Sequence, residues 1–262
     1  MKNLLAFCLL LVALPAYARI IEQNVDYAAG ATTLKGYIAY DDSFKGRRPA
    51  IIVVHEWWGY NEYARSRARQ LARLGYVGMA VDMYGDGKQA AHPQDAQKFS
   101  SEVAGNIDLE RQRFEAAMAV LAGHKLVEPG MIAAIGYCFG GSVVLQMARE
   151  GVDLRGVASF HGGLTTRHPA SPGAIKARIL VAHGGLDPFT TPEQLTGFID
   201  EMNHAGADYK IEIFSGAKHA FTNPGADEYG KRFNLPLAYN QRADEDSWQD
   251  LQMFLHDIFA RQ

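Results

Sequence analysis

The stretch Ala133-Ala134-Ile135-Gly136-Tyr137-Cys138-Phe139-Gly140-Gly141-Ser142 carries a short apolar run into Gly-x-Cys-x-Gly and then into the helical pattern Val143 to Arg149. Gly136 and Gly140 flank Cys138 at the spacing of a strand-to-helix elbow, a turn so sharp that its central residue is strained and its neighbours must be small. Such a turn lifts the central side chain above the sheet, and the start of the following helix favours negative charge there. The usual central residue is serine; here it is cysteine. A plain strand-turn-helix junction with a buried, inert thiol fits the same residues, so a chemical reading of Cys138 needs partners elsewhere in the chain.

Outward from the elbow, strands and helices alternate. Ala50-Ile51-Ile52-Val53-Val54 is a continuous apolar run rich in β-branched residues, as expected of a strand covered on both faces, and His55-Glu56-Trp57-Trp58-Gly59 follows its end. Asn61 caps a helix to about Leu74, and Tyr76 to Val81 is the next strand. Pro93 to Ala122 reads as helix broken near Gly105. Met131 to Ile135, Gly156 to Phe160, Arg178 to Ala182 and Tyr209 to Phe214 are further strands. Pro192 to Ala205 and Ala243 to Phe259 are helices, the second burying Trp248, Leu251, Leu255 and Ile258. Ser215 to Leu237 reads as a long irregular segment. Ahead of all this, Ile21 to Ala28 and Thr33 to Tyr40 form an antiparallel hairpin at a sheet edge. The pattern predicts an α/β fold: a mainly parallel central sheet with helices on both faces and an N-terminal antiparallel edge.

Lys2, the apolar run Leu4 to Leu14 and Pro15-Ala16-Tyr17-Ala18 have the charged start, apolar middle and A-x-A end of a secretory signal peptide. The run is shorter than the roughly 20 residues a membrane span needs. Residues 1–18 are therefore expected to be cleaved after Ala18, leaving 19–262 as one exported domain, periplasmic in destination and free of the membrane. Two cysteines are encoded. Cys8 leaves with the signal, so Cys138 becomes the sole thiol. No intramolecular disulfide is possible then, and a thiol redox cycle lacks a resolving partner. With 26 basic and 29 acidic residues there is no excess of positive charge to bind nucleic acid. A monomer is the expected state.

In an open parallel sheet, functional groups gather beyond the C-terminal ends of the strands. Glu56, Cys138, Asp187 and His219 each follow a predicted strand. Cys, Asp, His in that order is the nucleophile, acid, base order of an α/β-hydrolase. Cys138 would attack an acyl carbon, His219 would handle the proton, and Asp187 would orient the imidazole. The backbone N–H groups of Phe139 and Trp57 are the expected oxyanion donors. Taken alone, Asp187 in Gly-x-x-Asp-Pro also fits a turn-organising role, and His219 also fits a solvated loop. His161 and His183 precede Gly-Gly pairs without cysteine or carboxylate partners at metal spacing and read as structural, as does His55 beside Glu56. No metal and no cofactor is expected.

Four motifs in order, His55-Glu56 with an aromatic pair and Gly59, Gly136-Tyr137-Cys138-Phe139-Gly140-Gly141, His183-Gly184-Gly185-Leu186-Asp187-Pro188 and Gly216-Ala217-Lys218-His219-Ala220-Phe221, are together similar to the dienelactone hydrolase family. The resemblance covers nearly the whole chain after the signal, including Ala238-Tyr239-Asn240 and the Trp248 helix. It implies an α/β-hydrolase fold, a Cys138-Asp187-His219 triad, and a Glu56 that lies beside the thiol and helps to generate the thiolate when substrate arrives. It further implies two arginines that clamp a substrate carboxylate, and at those positions this sequence has Asp86 and Asn223. The expected activity is therefore hydrolysis of an ester or lactone by way of an acyl-thioester, with the name-giving dienelactone disfavoured. Trp58, Tyr84, Lys88 and Phe221 are candidates for the substrate pocket, Lys88 as a replacement for one arginine; for Trp57 and Trp58 the alternatives of core and pocket wall stay open. A broader carboxylesterase or thioesterase, and a ligand-binding protein without catalysis, are the competing readings.

Overall fold

Eight strands of the described residues form one sheet in the computed structural model, which describes residues 19–260. The predicted signal peptide, residues 1–18, lies outside them. In chain order the strands are β1 (Ile20–Ala29), β2 (Thr32–Asp41), β3 (Arg48–Val54), β4 (Val77–Val81), β5 (Val127–Tyr137), β6 (Gly156–Phe160), β7 (Arg178–Gly184) and β8 (Tyr209–Phe214). Their order across the sheet is β1-β2-β4-β3-β5-β6-β7-β8. β1 pairs antiparallel with β2, in register from Ile20 opposite Asp41 to Ala29 opposite Thr32, and β2 pairs antiparallel with β4. Every later pairing is parallel. Among the described residues seven helices accompany the sheet: α1 (Glu62–Arg73), α2 (Pro93–Ala104), α3 (Ile107–Ala122), α4 (Phe139–Arg149), α5 (Pro192–Ala205), α6 (Ala226–Phe233) and α7 (Gln241–Ala260). The architecture is that of an α/β-hydrolase.

The central strands are apolar throughout because alternate side chains serve two cores. Ile52 and Val54 point to one side and belong to the core that holds Phe114 and Leu121 of α3, Val144 of α4 and, further along, Phe198 of α5. Ile51 and Val53 point to the other, against Ala64, Ala68 and Leu71 of α1 and Leu251 and Leu255 of α7. Each Leu or Phe so covered contributes roughly 1.5–3 kcal/mol. Small residues set the spacing on the α1 side. A methyl on Gly78 would lie 2.5 Å from the carbonyl of Ala68, so α1 rests directly on β4. None of the described helices is long and apolar enough to cross a membrane.

Helix ends follow their capping chemistry. Asn61 accepts from the Ala64 N–H at the start of α1, as expected. The break at Gly105 is real: Gly105 closes α2, and the Asn106 side chain accepts from Leu109 N–H to start α3. Two features depart from expectation. β5 begins at Val127, four residues before Met131, because Val127 pairs with Arg48 across a register shift that absorbs Pro129 and Gly130. The segment Ser215 to Leu237 is not irregular throughout: it contains α6, closed by Asn234 in the left-handed conformation. Its tertiary anchor is Trp58, whose ring stacks on Tyr229 and Phe233 at centroid distances of 4.3 and 5.7 Å.

Candidate active site

The elbow is built by removing side chains where backbones must meet. A Cβ on Gly136 would lie 2.0 Å from the Gly140 carbonyl oxygen, and one on Gly140 would lie 2.4 Å from the carbonyl of Val54 and 2.6 Å from that of His55. β5 can thus turn into α4 while α4 starts against the end of β3. Cys138 takes φ 52° and ψ −114°, a left-handed backbone costing a side-chain-bearing residue about 1–3 kcal/mol. That strain is held by hydrogen bonds. The Cys138 N–H donates to the carbonyl of Phe160 at 3.0 Å and to Nδ1 of His161 at 3.1 Å, and the Gly140 N–H donates to the carbonyl of His55 at 3.1 Å. The thiol is half-buried at the start of α4.

Asp187 and His219 converge on it. Asp187, in the turn after β7, accepts from the Phe189 N–H at 2.9 Å through Oδ1 and from Nδ1–H of His219 at 2.8 Å through Oδ2. One oxygen of Asp187 thus holds the turn and the other contacts the imidazole. His219 lines the same chamber as Cys138. Burial alone would lower its pKa, but this is outweighed by the adjacent Cys138 charge and by hydrogen bonds to Asp187 and Cys138, which raise it to about 10. These contacts favour the protonated imidazole. Phe189 meets the His219 ring edge-on at 4.8 Å.

Underneath lies a polar layer with no short sequence signature. His161 Nδ1 accepts from the elbow, so its Nε2–H donates to Thr222 Oγ1 at 2.8 Å. Burial lowers its pKa well below the usual value, keeping it neutral and in that tautomer. Thr222 also meets the Tyr63 hydroxyl at 2.7 Å, and its carbonyl accepts from Arg67, which pairs with Asp244 of α7. These residues come from α1, α7 and the loop after His219, so only the fold brings them together. His55 is likewise structural: Nδ1–H donates to the Glu56 carbonyl and Nε2 accepts from the Met83 N–H.

Glu56 is 2% exposed, and the Asn223 amide donates to its Oε2 at 2.6 Å. Burial raises its pKa to about 7, opposed by that hydrogen bond and by the charges of His219 and Arg67. Its carboxylate therefore sits against Asn223 within electrostatic reach of His219. The N–H groups of Phe139 and Trp57 take no part in the hydrogen bonds among the described residues, and both residues line the Cys138 chamber.

That chamber holds about 390 Å³, and its wall includes Ser100, Ser101, Phe189, Leu235 and Leu237 besides Trp57, Cys138 and His219. The four residues expected to form it lie elsewhere. Trp58 is buried against α6. Phe221 is fully buried between His161 and Phe214. Tyr84 is buried and donates its hydroxyl to the Trp57 carbonyl at 3.0 Å, so it supports the chamber from outside. Lys88 extends to Asp86 at 3.9 Å on the surface; their loop is pinned by Asp82, whose carboxylate accepts from the N–H groups of Tyr84, Gly85 and Gly87. Neither Asp86 nor Asn223 supplies a cation to the chamber.

Residues 34–259 match the model of the dienelactone hydrolase family. Among curated proteins, the chain is similar to the protein usf of Aquifex pyrophilus, 29% identical over 77% of this chain and 87% of that one. It is also similar to a Saccharolobus solfataricus protein described as a candidate carboxymethylenebutenolidase, 27% identical over 91% of this chain and 99% of that one. Among solved structures it resembles a dienelactone hydrolase-like promiscuous phosphotriesterase from metagenomic libraries, at 32% identity and a TM-score of 0.84, covering 91% of this chain and 98% of that one.

Proposed function

The chain belongs to the dienelactone hydrolase family and is a hydrolase of the α/β-hydrolase fold, and from that premise we propose that it cleaves an ester or lactone through Cys138, His219 and Asp187. The observation that carries this reading is the strained Cys138 sharing a chamber with a His219 whose other nitrogen is bonded to buried Asp187. Sγ of Cys138 attacks the acyl carbon, and the thiol proton resides on His219. The oxyanion accepts from the N–H groups of Phe139 and Trp57. Collapse breaks the C–O bond, His219 returns the proton to the departing oxygen, and the acyl group remains as a thioester. Water, losing its proton to His219, then attacks that thioester; the acid leaves and the thiol is restored. Amides are poorer substrates, because thiolate leaves more readily than an unprotonated nitrogen.

The chamber wall near the thiol carries no lysine or arginine to receive a carboxylate, which disfavours anionic acyl groups. A charge-assisted hydrogen bond contributes about 1.5–3 kcal/mol, so lack of a carboxylate clamp costs a dienelactone about ten- to a hundredfold. Measured kcat/KM should place short p-nitrophenyl esters and uncharged lactones above cis- and trans-dienelactone by that margin. A preference for the dienelactones would overturn this substrate assignment.

Glu56 acts on the thiol's ionisation. It rests on Asn223, and its carboxylate stabilises the His219 imidazolium that forms when the thiol proton passes to His219. This raises the thiolate fraction when substrate arrives and requires ionised Glu56. Alkylation of Cys138 should therefore accelerate as pH rises through about 7, and Glu56→Gln should lack that step. Identical pH profiles for the two proteins would remove Glu56 from the chemistry.

The protein acts as a monomeric domain of residues 19–262, exported to the periplasm after loss of residues 1–18. A thiol poised by its substrate suits that oxidising setting.

A further inference from the structure

A second chamber, of about 600 Å³, shares Ser101, Ala104, Phe139 and Ser142 with the wall of the chamber that holds Cys138 and His219. It extends the cleft along α3 and α4 to the loop that follows β6. Its lining is half polar where the first chamber's is mostly apolar, and one of its side chains is anomalous. Glu110, on α3, is 4% exposed and lines this chamber; its backbone N–H donates to the Asn106 carbonyl, but its carboxyl makes no hydrogen bond and no ion pair to a protein group among the described residues, and its oxygens are open to the chamber.

The surroundings explain why nothing in the protein satisfies it. Gln146 is already committed: its amide donates to Glu150 at 3.0 Å and to the His168 carbonyl at 3.2 Å, and its oxygen accepts from the Thr166 hydroxyl at 2.6 Å. Glu150 is a second acid, and it adds to burial in raising the Glu110 carboxyl to about 8. Arg167, also in the lining, is exposed and does not offset that rise. A buried carboxyl without a partner costs stability that an apolar residue would not. The carboxyl is thus free to receive a partner that arrives with a ligand. That partner must donate hydrogen bonds, and beside two acids it gains most by carrying positive charge.

We propose that this chamber is a specificity subsite of the Cys138 cleft, in which Glu110 receives a cationic donor, an ammonium or guanidinium group, borne by the ester or lactone substrate. The proposal rests on the assignment of hydrolysis to Cys138. A substrate placing its acyl carbon at the thiol would run past Phe139 and Ser142 and deliver its charged end to Glu110.

The test uses aryl esters whose acyl chains, of two to six methylenes, end in methyl, guanidinium or carboxylate. In the wild-type enzyme, at the chain length that fits, kcat/KM should be about tenfold higher for guanidinium than for methyl, and lowest for carboxylate. In Glu110→Gln the guanidinium-to-methyl ratio should fall to near one. A ratio unchanged by that substitution overturns the subsite, and a carboxylate preference transfers the chamber to Arg167 and overturns it equally. A second arm does not require turnover: calorimetric titration of the guanidinium-ended amide into Cys138→Ala and into Cys138→Ala with Glu110→Gln. Binding about tenfold weaker in the double variant supports the subsite, and equal binding refutes it. Should none of the esters be hydrolysed by the wild type, the hydrolase reading fails while the calorimetric arm still decides the role of Glu110.

Discussion

Cys138→Ala is expected to lower kcat for ester hydrolysis by about 10⁴-fold or more, with KM little changed. Removing a nucleophile from a triad leaves only the catalysis of the oxyanion donors and binding, and here no second nucleophile stands at the elbow. Ser142, one turn along α4, accepts from the Gly163 N–H at 2.9 Å and belongs to the chamber wall. Alanine at 138 retains the backbone hydrogen bonds to Phe160 and His161, so the fold should persist and the loss should be chemical. The comparison of steady-state rates in proteins with matched circular dichroism spectra checks this. An alanine variant with full activity would move the reaction away from this site altogether.

Asp187→Asn should lower kcat by about 10³- to 10⁴-fold at nearly unchanged melting temperature. The reason is the division of labour between the two carboxylate oxygens. An asparagine oxygen still accepts from the Phe189 N–H and keeps the turn. Its NH₂ then faces Nδ1 of His219, where only an acceptor supports the Nδ1–H tautomer. The imidazole is driven to present the wrong nitrogen protonated to Cys138, and the charge that helps to keep His219 cationic is lost. Asp187→Ala removes both contacts and should lower the melting temperature as well. Equal activity of Asp187→Asn and wild type would mean that the Asp187–His219 pair only builds the turn.

The parts legible in the sequence share one property: their chemistry is local. The elbow glycines, the apolar β3 run, the Asn61 cap and the break at Gly105 are each dictated by residues a few positions apart, and the structure realises all of them. Cys138, Asp187 and His219 were findable because each ends up just beyond a strand, and strand ends meet at one edge of a parallel sheet. The pocket was not findable in the same way. An aromatic residue after a strand has the same local pattern whether it faces the chamber, like Trp57, or packs inward, like Trp58 and Phe221. The choice is made by α6, an eight-residue helix hidden in a segment whose glycines and charges read as loop. Thr222, Arg67 and Asp244 escape notice for a similar reason, since three separate elements must dock before they touch. Glu110 sits on a helix between ordinary polar residues, and only the cavity beside it distinguishes it from a solvated acid. The arginine positions illustrate the converse. That Asp86 and Asn223 carry no cation is plain from their identity, but the contact of Asn223 with Glu56 emerges only from the fold.

The most direct measurement repeats the comparison of wild type and Cys138→Ala, read by mass instead of rate. Each protein is mixed with a slowly deacylating ester, quenched in acid during turnover, and analysed intact and after proteolysis. The account predicts a mass gain equal to one acyl group, confined to the peptide containing Cys138, released by hydroxylamine and absent from the alanine variant. Turnover without any acyl adduct at Cys138, or an adduct on another residue, would contradict it.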